Sequence, residues 1–308
     1  MEKKEIKNMP SSIRTKLKNI AKSNGRDFDA VLLQFFQERF LYRVSLSQCR
    51  DNFILKGALL LMVKSISPFR PTKDIDFLGK GIDATPENLK ELVKKIVRIS
   101  CEDGVDFVAE TITAEVIKEG ADYEGVRLKL EAGLGNIRKI ISLDVGFGDL
   151  IYGGPDEYDF PVLLNFPVPK IKCYTYESII AEKFQAIVWL NFQTSRMKDF
   201  FDILFLAKVN RFGASGLVQA IATTFTKRHT ALSRRDAIFS NEFKNDESKQ
   251  KQWTAFLRKH HLTEESKFCK ILDHLEGFLE PVLGMTLIEI ENCIWYPETW
   301  QWRSNSTK

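Results

Sequence analysis

The 308-residue chain carries 45 Lys and Arg against 41 Asp and Glu, a net charge of +4, and 44% of its residues are hydrophobic. That balance excludes an intrinsically disordered chain, predicts one large domain or two modest ones, and is too mild to demand a polyanionic partner, because only clustered charge builds a strong local field. Cys49, Cys101, Cys173, Cys269 and Cys293 form no CxxC pair and so suggest neither a disulfide framework nor a zinc site; with a charged start and no apolar run of ~20 residues, the expectation is a soluble, cytoplasmic protein with no membrane partner.

In chain order, Ile13, Leu17 and Ile20-Ala21 keep helical spacing, and Val31, Leu32, Phe35, Phe36, Phe40 and Leu41 form a second helical stripe beyond the Asn24-Gly25 break. Residues 53–55 read as a short strand. Gly57 then turns the chain into an apolar helix over 58–63, which the Ser67-Pro68-Phe69-Arg70-Pro71 stretch ends. Asp74-Ile75-Asp76-Phe77 reads as the next strand. Thr85 is an N-cap with Pro86 at the first turn of a helix that carries Leu89, Leu92, Val93, Ile96 and Val97 inward.

From 105 to 147 the apolar period changes to two. Val126, Leu128 and Leu130 alternate with Arg127, Lys129 and Glu131, and Ile141, Leu143, Val145 and Phe147 alternate with Ser142, Asp144 and Gly146. This is the pattern of antiparallel strands with one wet face, and it points Asp144 away from the apolar set. Gly153-Gly154-Pro155 and residues 161–169 read as a connector. Beyond Thr175 the spacing predicts helices over 178–190, 196–208 and 216–228, a basic turn, and helices around Phe256 and over 271–283. The aromatic segment from Trp295 to Trp302 is expected to pack on its own core or on a partner.

Asp74 and Asp76 sit on alternate residues of an extended strand and therefore share a face, while Ile75 and Phe77 enter the core. Two adjacent carboxylates repel unless a cation lies between them. Mg²⁺ takes carboxylate oxygens and keeps room for substrate phosphates, so the pair reads as a metal site awaiting a nucleotide. Backbone N–H groups at the Gly57 turn suit phosphate oxygens. Asp144 supplies a third carboxylate from a strand whose polar face could meet that pair. Lys183 falls inside the arc of Ile179, Ile180, Phe184, Ile187 and Val188, so its ammonium either snorkels to water or meets a triphosphate. Asp199 and Asp202 lie on a helix that is apolar nearly all round, and either pair structurally with Arg196 or Lys198 or take part in catalysis. Arg70 binds phosphate, orients Asp76 or closes a loop ion pair. Lys227-Arg228-His229 and Arg234-Arg235 form a basic cluster that is either solvated or touches RNA.

Taken together, Phe53-Ile-Leu-Lys-Gly-Ala-Leu-Leu, Arg70-Pro-Thr-Lys-Asp-Ile-Asp-Phe, Ser142-Leu-Asp-Val-Gly-Phe-Gly, Tyr176-Glu-Ser-Ile-Ile-Ala-Glu-Lys-Phe-Gln-Ala and Arg196-Met-Lys-Asp-Phe-Phe-Asp resemble the AbiEii/AbiGii-type nucleotidyltransferase toxins. The resemblance spans most of the first two hundred residues, including the Phe40-Leu-Tyr-Arg-Val-Ser lead-in. It implies an α+β fold with a DNA polymerase β-like nucleotidyltransferase core, a mixed or antiparallel sheet, N-terminal helices over 1–50, a core over 51–170, and a helical C-terminal domain over 171–308 that completes the cleft. The implied activity is Mg²⁺- or Mn²⁺-dependent transfer of NMP from an NTP to RNA, with the tRNA 3′ end as acceptor, in a type IV toxin–antitoxin or phage-defence system with a separate winged-helix antitoxin.

Carried over by position, Lys56, Gly57 and Ala58 fall in the glycine motif and bind nucleotide with Arg70, Lys183 and Asp202. Asp74, Asp76 and Asp144 are the metal-binding acids of an expected two-metal site, with both ions on Asp74 and Asp76 and the catalytic one also on Asp144, which helps deprotonate the attacking hydroxyl; Lys183 and Asp199 join them in catalysis. Ala58 departs from the Ser of the wider superfamily and the Gly common in this family, which removes a hydroxyl contact to the terminal phosphate. That departure motivates a second expectation, a nucleotide- or RNA-binding protein without turnover. A third keeps the transferase and makes the acceptor a protein hydroxyl.

Overall fold

The structure, a computed structural model, describes residues 9–63, 72–118 and 124–304. These residues fall into two units, one of those within Met1–Ser65, Pro71–Gly148 and Asp156–Cys173, the other of those within Asp149–Pro155 and Tyr174–Lys308.

The first unit opens with α1 (Met9–Ser23) and α2 (Phe28–Leu46), followed by β1 (Phe53–Lys56), a single turn α3 (Gly57–Leu60), β2 (Asp74–Gly79), α4 (Pro86–Val97), the long strands β3 (Val105–Lys118), β4 (Glu124–Leu134) and β5 (Ile137–Phe147), and the short strands β6 (Asp156–Asp159) and β7 (Lys170–Cys173). Local chemistry starts the helices. The Asp27 side chain accepts from the Ala30 N–H ahead of α2, and Thr85 accepts from the Asn88 N–H ahead of α4, each satisfying an amide that has no partner within its helix. The expected helix over 58–63 is one turn only; past Leu60 the chain continues in i→i+3 bonds, Leu61 N–H to Ala58 C=O through Val63 N–H to Leu60 C=O.

The seven strands run in the order β3-β4-β5-β2-β1-β7-β6. The β2–β5 and β1–β7 pairs are parallel and the others antiparallel, giving a mixed α/β unit with a mostly antiparallel sheet. Ile75, Phe77, Val126, Leu128, Leu130, Ile141, Leu143 and Val145 are buried on one face of it, against the helical layer of α2 and α4. Two short strands, β6 and β7, flank the 161–169 connector where the sequence pattern predicts no element: Asp156-Glu-Tyr-Asp has the composition of a loop but pairs along the sheet edge. Helix α2 also departs from its single apolar stripe, since Gln34, Gln37, Glu38, Arg39 and Arg43 are buried along with it.

The second unit holds α5 (Tyr176–Leu190), α6 (Met197–Val209), α7 (Ala214–Lys227), α8 (Asn241–Lys244), α9 (Glu247–His260), α10 (Phe268–Gly284), α11 (Leu287–Asn292) and a hairpin of β8 (Cys293–Tyr296) and β9 (Gln301–Ser304). The aromatic tail packs on its own unit. Trp295 is fully buried with its indole N–H donated to the Ala207 carbonyl at 2.7 Å, and Trp302 donates to Phe278 at 2.8 Å. All five cysteines are free thiols. Among the described residues no helix is long and apolar enough to cross a membrane.

Candidate active site

At the end of β1 the backbone of Gly57 takes φ +67°, a left-handed conformation that L side chains rarely adopt. A Cβ there would lie 2.0 Å from Asp76 Oδ2, so the absence of a side chain at 57 is what admits the Asp76 carboxylate. Lys56 is the Cα partner of Asp76 across the antiparallel β1–β2 pair. On the other side of β2, the parallel register sets Asp76 opposite Asp144 and Asp74 opposite Ser142. Antiparallel pairing of β4 with β5 then sets Arg127 opposite Asp144.

Paired residues in adjacent strands project to the same face, so Lys56, Asp76, Asp144 and Arg127 form one row across four strands, with Asp74 two residues along β2. The sheet thus brings Lys56, Gly57, Asp74, Asp76 and Asp144 together as the sequence predicts. It adds Arg127, which sequence reasoning missed. The signal was present in the two-residue loop Gly135-Asn136, with Gly135 at φ +62° and Leu134 paired to Ile137; stepping back along both strands from that hairpin pairs Arg127 with Asp144.

Arg127 holds Asp144 in a two-pronged ion pair, Nε to Oδ1 at 2.8 Å and Nη2 to Oδ2 at 2.6 Å. Asp144 is only 7% exposed, although it lies on the polar face. The hydrogen bonds that Arg127 donates to Asp144, reinforced by the charges of Asp144 and Asp74, push the guanidinium further toward its protonated form. Lys56 is 8% exposed and its Nζ lies over Gly146, 3.2 Å from where a Cβ would be. Gly146 therefore makes room for this ammonium two residues along β5 from Asp144.

Asp74 and Asp76 are partly exposed hard oxygen donors on one face. Among the described residues no group of three or more His, Cys, Asp or Glu is placed to hold a metal ion. This donor set fits Mg²⁺ in its usual protein setting, where one or two carboxylates and substrate phosphates share the coordination shell. Ala58 is buried, and with α3 reduced to a single turn its start offers individual N–H donors and no developed helix dipole. Arg70 lies outside the described residues.

Lys183, Asp199 and Asp202 come together in the helical unit. Thr175 caps α5 by accepting from the Ser178 N–H, and the helix carries Lys183 to within 2.9 Å of Asp199 and 2.8 Å of Asp202 on α6. Both carboxylates are fully buried, and Arg196 forms a second ion pair with Asp199. Burial by itself would raise the Asp199 carboxyl, but Lys183 and Arg196 overcome it and hold the group well below the usual carboxylate range. Much of the basic cluster is likewise engaged: Arg228 pairs with Asp149 at 2.9 Å, Arg235 with Glu280 at 2.8 Å, and Arg234 stacks over Trp189.

Residues 39–274 match the model of a family described as the nucleotidyl transferase AbiEii toxin, type IV TA system. Among solved structures, JHP933 from Helicobacter pylori is similar at 16% identity over 80% of this chain and 94% of that one, with a TM-score of 0.48. An H. pylori protein described provisionally as a nucleotidyltransferase is similar at 15% identity over 82% of this chain and 99% of that one, with a TM-score of 0.47. No curated protein matches the chain.

Proposed function

The chain belongs to the AbiEii nucleotidyl transferase toxin family of type IV toxin–antitoxin systems, and we propose from that premise that its acidic sheet face transfers NMP from an NTP to RNA, with the tRNA 3′ end as acceptor. The observation that carries this reading is the Asp74–Asp76 pair set against Gly57, with the Asp76 carboxylate occupying the space a side chain at 57 would fill. Residues 51–170 are the transferase core in this proposal. A winged-helix antitoxin is the cognate partner, and the setting is cytoplasmic.

In the reaction, the acceptor hydroxyl oxygen bonds to the α-phosphorus as the α–β bridging P–O bond breaks. Pyrophosphate leaves, and the hydroxyl proton passes to solvent. Asp74 and Asp76 would hold Mg²⁺, with Mn²⁺ able to replace it, and the bound ion would supply charge neutralisation for the phosphates. Backbone N–H groups of Gly57 and Ala58 would receive phosphate oxygens, and Lys56 would add positive charge beside Asp76. Asp144, expected from the sequence as a third metal ligand, has both oxygens taken by Arg127 and in this reading shapes the field of the same face instead. The proposal extends to Arg70 as a phosphate contact, to Lys183 and Asp199 in catalysis, and to Asp202 in nucleotide binding, with the ion-pair network of the last three fixing their geometry.

Asp74→Asn should retain the wild-type melting curve and abolish transfer of α-labelled NMP to RNA. Equal labelling by the variant would sink the assignment. Incubating lysate with each α-labelled NTP, followed by RNase or protease, identifies the base and separates an RNA acceptor from a protein hydroxyl. Ala58 favours one other reading, nucleotide binding without turnover. Calorimetric NTP binding with no pyrophosphate release would establish it.

A further inference from the structure

From the cross-strand row Lys56, Asp76, Asp144 and Arg127 we infer that the site holds a single divalent cation, on Asp74 and Asp76, and that Arg127 occupies the position at Asp144 where a second ion would sit. The inference rests on the proposed transferase reading and sharpens it. Both oxygens of Asp144 are bound by Arg127, at 2.8 and 2.6 Å, in the fork geometry that matches a carboxylate edge to edge. The placement is a property of the backbone: Arg127 and Asp144 are Cα partners inside a continuous register running from Val126 to Leu134 on β4. Arginine cannot shed its proton to make way for a metal as lysine or histidine can.

Charge points the same way. Lys56 and Arg127 stand against Asp74, Asp76 and Asp144, which leaves one net negative charge. Glu115, opposite Arg127 on β3, pairs with Lys129 at 3.4 Å, so the two cancel in this sum. One divalent ion turns that remainder into a single positive charge facing the triphosphate. A second would crowd an ion against a permanently charged guanidinium. Arg127 is a positioning residue here: it fixes Asp144 and supplies charge without itself holding substrate.

The test counts ions. The full chain is equilibrated with Mn²⁺ and inorganic tripolyphosphate, a base-independent stand-in for the NTP tail, and retained Mn²⁺ is measured alongside its electron paramagnetic resonance. The wild type should retain one ion per chain with an uncoupled spectrum, and Asp74→Asn should lose it. Arg127→Gln frees Asp144 beside Asp76 and should retain two ions with a spin-coupled spectrum. Should that variant fold poorly, Asp144→Asn answers the same question, because the single ion should persist with its affinity within about threefold. Two coupled ions in the wild type, or loss of an ion in Asp144→Asn, would overturn the inference and leave the transferase reading standing. One ion in a well-folded Arg127→Gln would also overturn it, since Arg127 would then have a structural role only. No ion in the wild type would overturn both.

Discussion

Gly57 and Lys183 are single residues whose surroundings make opposite demands. At Gly57 the requirement is absence. Gly57→Ala must accept both a left-handed φ, at roughly 1–2 kcal/mol for an L residue, and a methyl directed at Asp76 Oδ2. The carboxylate has to leave its place, so we expect lower stability in urea together with loss of Mn²⁺ retention. A variant with unchanged Mn²⁺ binding would show that Asp76 is not held by this contact. At Lys183 the requirement is charge. Lys183→Met removes the ammonium that the buried Asp199 and Asp202 carboxylates share, while Arg196 still pairs with Asp199. Stranding buried charge in this way typically costs ~3–5 kcal/mol, so the midpoint of urea unfolding should fall sharply, whereas Asp74→Asn should leave it unmoved. The pH dependence follows. A depressed Asp199 carboxyl contributes stability in full above the ordinary aspartate pKa and loses it as pH falls toward the folded value, so the acid limb of the wild-type stability curve should be steeper than that of Lys183→Met.

At the level of elements, α2 carries the largest gap between pattern and structure. Its apolar stripe predicts a helix with one buried side, yet Glu38 and Arg39 are fully buried. Periodicity marks the face that must be covered and is silent on whether another segment covers the rest. Here the chain around 160–167 does so: the Leu163 N–H donates to Glu38 at 2.9 Å, and Arg39, with Phe166 beside its guanidinium, donates to the Pro167 carbonyl. Arg43 is tied to Asp103 at 2.7 Å deep in the same unit. Burial pushes the Glu38 carboxyl up to about 8, against the opposing pull of the Leu163 hydrogen bond and the Arg39 charge. The folded state therefore binds this proton more tightly than the unfolded one. Between the ordinary glutamate pKa of about 4.3 and 8 unfolding releases a proton, stability falls as pH rises, and above that window the dependence vanishes. Glu38→Gln removes the ionisation and keeps an oxygen for Leu163. Its melting temperature should match wild type near pH 5 and exceed it by several degrees near pH 8.5; a constant difference across that range would refute burial as the cause.

Across the whole molecule, what could be read from sequence was what depends on near neighbours: the shared face of Asp74 and Asp76, the Thr85 cap, the period-two strands, and the inward placement of Lys183. Beyond Asp144, partners distant in sequence stayed hidden, because a register slip of one residue reverses every side chain and no single strand records its mate's position. Arg127 was missed although countable from the Gly135-Asn136 turn, and β6 escaped because Asp156-Glu-Tyr-Asp carries no apolar alternation. The same limit applies to charge. A linear run from Lys227 to Arg235 looks like a polyanion-binding patch, but Arg228 is drawn to Asp149 and Glu182, Arg235 to Glu280, and Arg234 to the Trp189 ring and carbonyl. Those pairings leave less uncompensated charge there than the linear run implies. The paired replacement Lys227→Glu with Arg234→Glu tests this directly. Each phosphate contact contributes ~0.7 to the salt slope for a single strand and ~0.9 for a duplex, so an RNA-binding patch would lose one to two units of slope on reversal. We expect the slope for tRNA binding to stay the same and the affinity to change less than about threefold, since Arg228 and Arg235 are already committed to carboxylates and the two charges replaced do not by themselves make a polyanion site.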